Sequence, residues 1–157
     1  MTILNMLDLQ DDKTESADKI TLNQAIDYYH QAWGNKNNRA FFYDAIINSS
    51  NKKSGLPRFY VLIKNNRIIG CCGLIVNDFI SRHDLMPWLC GVYVSKEERG
   101  HQYASYLMDH AVKEANSAGY FRVYLTTDHN GFYEKYGWTR IEDAYEVSGE
   151  KTRIYYK

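Results

Sequence analysis

The sequence predicts an α/β (α+β) fold: a mixed, mostly antiparallel twisted sheet with a central βαβ crossover and helices on both faces. Three observations point there. Two apolar runs, residues 58–64 and 67–76, flank Asn65-Asn66, and asparagine tolerates the positive φ of a two-residue hairpin turn. Residues 87–94, a glycine turn, an amphipathic helix and residues 122–127 form a strand–helix–strand unit, which sets its two strands parallel. Two last strand-like runs, 138–142 and 152–157, are separated by a turn near Ser148-Gly149. Strands in that mixture, with helices before and between them, make a layered α/β or α+β sandwich.

The elements follow in chain order. Residues 2–7 read as a short first strand, and the polar residues 11–19 as a loop. Over residues 21–33, Leu22, Ile26, Tyr29 and Trp33 recur at helical spacing, and Gly34-Asn35 stops the helix. A second short helix covers 39–47, with Phe42, Ala45 and Ile46 on one face. Residues 48–57, rich in Ser, Asn, Lys and Gly, are a loop. Gly70 and Gly73 weaken the strand over 67–76 and mark a bulge or a close backbone approach. The strand over 87–94 is apolar on both faces, so it is expected to be central and buried. Ala104, Leu107, Met108, Ala111, Ala115 and Ala118 make one helical stripe, capped by Gly119. A short helix over 131–136 ends at Gly137.

The chain of 157 residues reads as one domain, and 45% apolar residues suffice for one substantial core. Nineteen basic residues balance nineteen acidic ones, so nothing asks for nucleic acid or an anionic membrane as partner. No apolar run approaches the roughly 20 residues that span a bilayer. The first residues have neither the basic start nor the apolar core of a signal peptide. Cys71 and Cys72 are adjacent on a strand and face opposite ways; with Cys90 they read as reduced, packed thiols of a cytoplasmic protein, and no metal site is expected. Fourteen tyrosines mean that no tyrosine is special merely by being present.

Arg99-Gly100-His101-Gln102-Tyr103-Ala104-Ser105 follows the central strand and opens the long helix. The first N–H groups of a helix have no intrahelical partner and sit at its positive end, an arrangement that binds phosphate. Arg99 adds a permanent charge and a planar donor fork.

These residues, with Val92-Tyr93-Val94 before them and Tyr133-Glu134-Lys135-Tyr136-Gly137-Trp138 after, resemble the motifs of the GCN5-related N-acetyltransferase (GNAT) superfamily. The family's pyrophosphate loop reads Arg/Gln-x-x-Gly-x-Gly/Ala after a Val-x-Val strand ending. Arg99 fills its first position and Ala104 its last. Gln102 stands where the family usually has glycine. The expectation is a negative φ at Gln102, with its N–H still aimed at phosphate and its side chain turned aside, because Gly100 remains.

The resemblance implies a GNAT-like sheet in one N-acetyltransferase domain over 1–157. It implies acetyl-CoA as co-substrate, and a small-molecule or peptide amine as acceptor. Family members often dimerise, so a homodimer is within the expectation. Pyrophosphate would meet Arg99, Gly100, His101, Gln102, Tyr103, Ala104 and Ser105. The pantetheine arm would lie along Val92, Tyr93 and Val94 like an added strand, in a wedge where two parallel strands splay. His129 or Asn130 would steady that arm.

Acetyl transfer needs a held thioester, a neutral amine, a fixed donor for the carbonyl oxygen and a hydrogen bond for the departing sulfur. Tyr133 is the candidate acid, since a phenol is protonated at neutral pH. Asp84, just before the central strand, is the candidate base, directly or through water; it could equally cap a turn before Pro87. His83 reads as structural. Glu142 and Asp143 could attract a cationic amine, although charges beside a hairpin are usually solvated. A second reading is an acyl-CoA-binding regulatory module without catalysis. The chain has no Gly-x-x-x-x-Gly-Lys-Ser/Thr loop, which argues against a P-loop enzyme.

Overall fold

The computed structural model describes residues 1–9, 19–52 and 54–157. The loop expected over 11–19 lies, apart from Lys19, outside them. A seven-stranded sheet runs in the order β1-β2-β3-β4-β5-β7-β6. Its strands are β1 (Thr2–Asn5), β2 (Arg58–Lys64), β3 (Arg67–Ile75), β4 (Trp88–Val94), β5 (Tyr124–Thr127), β6 (Thr139–Tyr145) and β7 (Lys151–Tyr156). All neighbours pair antiparallel except β4 and β5.

The helices are α1 (Leu22–Trp33), α2 (Arg39–Ile47) and α3 (Tyr103–Ser117). Thr21 and Gln24 close a reciprocal capping box at the start of α1. Gly119, at φ +95°, follows the last residues of α3 as the sequence predicts. Side chains alternate across β2. Phe59 and Val61 join the core under α1 and α2, while Tyr60 and Leu62 join the core under α3. Cys71 and Cys72 divide the same way, and both are free thiols. The two helical layers thus cover opposite faces of the sheet. Arg58, 3% exposed, reaches across to α3 and pairs with Glu114 at 3.1 Å.

Asn65 and Asn66 both take positive φ, as their turn requires. The glycine expectation in β3 also holds: its register with β2 shifts beside Gly70, and a Cβ at Gly70 would stand 2.9 Å from the Tyr93 carbonyl oxygen. A second irregularity was not foreseen. Between the pairs Cys71↔Tyr93 and Gly73↔Cys90, β4 carries one residue more than β3. Gly91, at φ +58°, lies in that bulge.

Several expectations need correction. The first strand ends at Asn5, and a 3₁₀ turn takes over Met6–Asp8. β4 is central, but Cys90 to Tyr93 are only half-buried, because cavities open against them. The strand expected from 122 starts at Tyr124, since residues 122 and 123 lie outside the ladder with β4. The helix expected over 131–136 is a 3₁₀ turn over Tyr133–Tyr136, ended by Gly137 at φ +78°.

Candidate active site

β4 and β5 pair in parallel at one register position, Trp88↔Tyr124, and the Tyr124 N–H donates to the Pro87 carbonyl at 3.0 Å. Beyond that point the strands part. A cleft of about 570 Å³ opens there, lined by Val92, Tyr93 and Val94 on one side and His129, Phe132 and Tyr133 on the other. Arg99, Gly100, Gln102, Tyr103 and Ala104 close one end. Most of the sequence-predicted residues therefore meet in one place.

Three of the residues expected to hold the cofactor do not line it. His101 and Asn130 are exposed outside the lining, and Ser105 points its hydroxyl along the helix toward Asp109 at 3.5 Å. Of the two candidates for steadying the arm, His129 lines the cleft.

The phosphate-binding features are present at the start of α3. Gln102 is the N-cap residue and no side chain caps the helix, so its first N–H groups remain available. Arg99 donates from Nε to the Val94 carbonyl at 3.2 Å, and its guanidinium lies 5.8 Å from the Tyr93 ring centre. Among the described residues no ion pair engages Arg99. Glu98 also lines the cleft, but Lys64 donates to it at 2.8 Å and holds its carboxyl below the usual range, which offsets its charge. An uncapped helix start, a guanidinium outside the described ion pairs and a long gap between strands fit a ligand with a phosphate end and an extended, amide-bearing arm.

Gln102 overturns one expectation. Its φ is +61°, in the left-handed region that glycine adopts freely. The loop keeps its shape by holding a glutamine in a strained conformation, not by turning a side chain aside.

Tyr133 is half-buried in the cleft wall, packed edge-on to Phe132 and Trp138. Burial raises its phenol above the ordinary value, against a smaller lowering by the Thr127 hydroxyl. The group is a proton donor throughout the neutral range. Glu134, next in the motif, accepts from the Tyr155 hydroxyl at 2.8 Å and serves packing.

Asp84 is outside this site. It is exposed, and Arg82 grips it with two donors at 2.8 and 2.6 Å. That grip holds its carboxyl down to about 2, a poor proton acceptor at neutral pH. Arg82 also pairs with Glu142, and Arg140 with Asp143 at 2.5 Å, so neither hairpin carboxylate is free to attract an amine.

The acid that sequence reasoning missed is Asp78. It follows β3 in the loop Asn77-Asp78-Phe79 and lines a second cavity of about 540 Å³, bounded by α1, α2, the end of β3 and Cys90-Gly91 of β4. Burial is the main cause that raises its carboxyl to about 6, against a hydrogen bond with the Thr126 side chain. The only signal in the sequence was an Asn-Asp pair interrupting an apolar run before Phe79-Ile80. Gly91 ends the lining of this cavity and Val92 begins that of the cleft. Cys90 also borders it, but burial and the Asp78 charge push its thiol up to about 12, so it holds its proton.

A family model described as the acetyltransferase (GNAT) family matches residues 20–138. Among solved structures, the chain is similar to an aminoglycoside 6′-N-acetyltransferase complexed with coenzyme A: 16% identical, covering 100% of this chain and 96% of that one, TM-score 0.67. It is similar to the aminoglycoside 6′-N-acetyltransferase from Enterococcus faecium at 14% identity, with 100% and 96% covered and a TM-score of 0.66. A GNAT family acetyltransferase from Elizabethkingia anophelis with acetyl-CoA bound is 16% identical, with 99% and 95% covered and a TM-score of 0.59. At such identities the likeness shows the fold. No curated protein matches the sequence.

Proposed function

The chain belongs to the GNAT acetyltransferase family, and on that premise we propose that residues 1–157 form one N-acetyltransferase domain that moves an acetyl group from acetyl-CoA to a primary amine. The observation that carries this reading is the parting of β4 from β5, with an uncapped helix start at one end of the gap and Tyr133 in its wall. Acetyl-CoA supplies an activated thioester carbonyl.

Arg99 and the N–H groups of Gly100 to Ala104 hold the pyrophosphate. The free backbone edge of Val92 to Val94 holds the arm. The β4 bulge leaves one of its residues without a ladder partner on β3, and its N–H is a fixed donor for the carbonyl oxygen. The amine nitrogen attacks the carbonyl carbon, the C–N bond forms and the C–S bond breaks. The proton lost from nitrogen goes to Asp78, directly or through water. The sulfur leaves as thiolate, met by the Tyr133 hydroxyl. Products are the amide and free CoA. Two properties support attack without an acetyl-enzyme: Cys90 holds its proton, and the two cavities approach β4 at neighbouring residues.

Thiol release from acetyl-CoA across a broad amine panel tests the reading. Amine-dependent release is the expected result. Binding of CoA without release from any amine would favour a non-catalytic acyl-CoA-binding module instead.

A further inference from the structure

The cavity on the α1/α2 side carries one charged residue among aromatic ones. Among its lining residues Asp78 is the only charged one, and Trp33, Phe41, Phe42, Phe59 and Phe79 stand in the wall with it. Three of these aromatics are largely open to solvent: Phe79 at 67%, Phe41 at 59% and Trp33 at 49%. Exposed aromatic clusters of that sort mark binding surfaces more often than plain surface.

Two of them are held in place. The indole N–H of Trp33 donates to the Gly91 carbonyl at 3.0 Å. Phe79 takes φ +57°, which bulky side chains rarely adopt, and Asn77 clamps the loop around it. Asn77 accepts from the Ile80 N–H and donates to the Ile80 carbonyl, both at 3.2 Å. The clamp sets Phe79 beside Asp78 at the cavity mouth.

Resting on the acyltransfer reading above, we propose that the acceptor is a monocationic amine on an aromatic or similarly apolar body, with its ammonium at Asp78 and its body among Trp33, Phe41 and Phe79. One carboxylate matches one ammonium, and aromatic faces beside it favour a cation further. Glu146, whose charge also acts on Asp78, lies outside the lining, so within the cavity the additional ammonium groups of a polycation such as an aminoglycoside or a polyamine would face apolar wall with no second carboxylate. The chain thus combines the fold of aminoglycoside acetyltransferases with a cavity whose lining holds a single carboxylate among aromatic residues.

The test measures binding and turnover separately on the full chain. Binding of 2-phenylethylamine, spermine and kanamycin is followed by calorimetry with CoA present, and thiol release is followed with acetyl-CoA. Phenylethylamine is expected to bind at least ten-fold tighter than either polycation. Asp78→Asn and Phe41→Ala should each weaken it about ten-fold, with CoA affinity unchanged. Phe41 is exposed, so its truncation leaves the fold intact. Tighter binding of spermine or kanamycin overturns the proposal. So does phenylethylamine binding that neither variant alters, or a self-associated chain whose dimer covers this face and excludes the amine. Phenylethylamine bound with the expected dependence, but with no thiol release from it or from any amine of the panel, supports the cavity assignment and overturns the acyltransferase reading. Turnover of polycations alone does the reverse.

Discussion

Thr126 and Thr127 are consecutive on β5, so their side chains leave opposite faces of the strand. The Thr126 side chain lowers the Asp78 carboxyl and the Thr127 side chain the Tyr133 phenol, one group for each cavity. Tyr133 stays protonated at neutral pH and can serve the leaving sulfur. Tyr133→Phe keeps the ring packing and removes only the hydroxyl. Because charge on sulfur develops as the bond breaks, the loss should appear in kcat, on the order of 10- to 1000-fold, with acetyl-CoA affinity little changed. Wild-type turnover in a folded variant would make the residue structural. Asp78 becomes a base only as pH rises through about 6. The kcat/KM profile should therefore climb across that pH, and the limb should vanish in Asp78→Asn. Stability runs the other way. A carboxyl raised in the folded state favours folding below the unfolded value, near pH 4, and that contribution is lost as pH rises through about 6. Denaturant titrations should find Asp78→Asn more stable than wild type at neutral pH, with the gap closing toward pH 4. Asp78 as the proposed base was not legible in the sequence. Asp84 and Asp78 are both lone acids near the central strand, and what separates them is an arginine fork on one and a desolvating aromatic wall on the other. The fork comes from the loop geometry that turns Arg82 onto an acid two residues on, the wall from residues distant in the chain.

At the scale of elements, local chemistry was legible wherever it was sufficient. α2 and β2 keep the predicted limits, 39–47 and 58–64, because helical periodicity and an Asn-Asn turn fix them from nearby residues. The conformation of Gln102 was not legible, since the loop between β4 and α3 imposes it on a residue with no preference for it. Its strain gives a prediction. Gln102→Gly removes a left-handed cost of about 1–2 kcal/mol but frees the unfolded chain, leaving a net gain of about 0.5–1 kcal/mol. A urea midpoint below wild type would show that the glutamine makes a compensating contact. The β4 bulge gives the opposite sign. A Cβ at Gly91 would stand 1.9 Å from the Tyr29 hydroxyl oxygen, and φ there is +58°. Tyr29 is buried in the core beneath α1 and cannot retreat. Gly91→Ala should cost about 2–4 kcal/mol by combined overpacking and backbone strain. It should also raise the amine KM, because Trp33 is anchored on the Gly91 carbonyl.

Across the whole molecule the sheet separates two cavities. The cleft proposed for the cofactor shares Tyr103, Ala104, Met108 and Tyr133 with the core under α3; the cavity proposed for the acceptor shares Tyr29, Phe42 and Phe59 with the core under α1 and α2. β4 and β5 pair at a single register position, and the linings of the two cavities meet at the neighbouring residues Gly91 and Val92. Strand order and helix placement were legible in the sequence, and the resemblance to the family implied the splay, but a gap between strands leaves no periodicity to read. The layout makes a kinetic prediction. Neither ligand must leave before the other enters, and the only thiol bordering the acceptor cavity holds its proton to about 12, so no residue there is ready to carry the acetyl group. Initial rates with acetyl-CoA and amine both varied should give intersecting double-reciprocal lines. Acetyl-CoA alone should release no stoichiometric burst of thiol, and Cys90→Ala should keep the intersecting pattern. Parallel lines with an acetylated protein detectable by mass would instead establish a covalent intermediate, and the direct-attack mechanism would have to be given up.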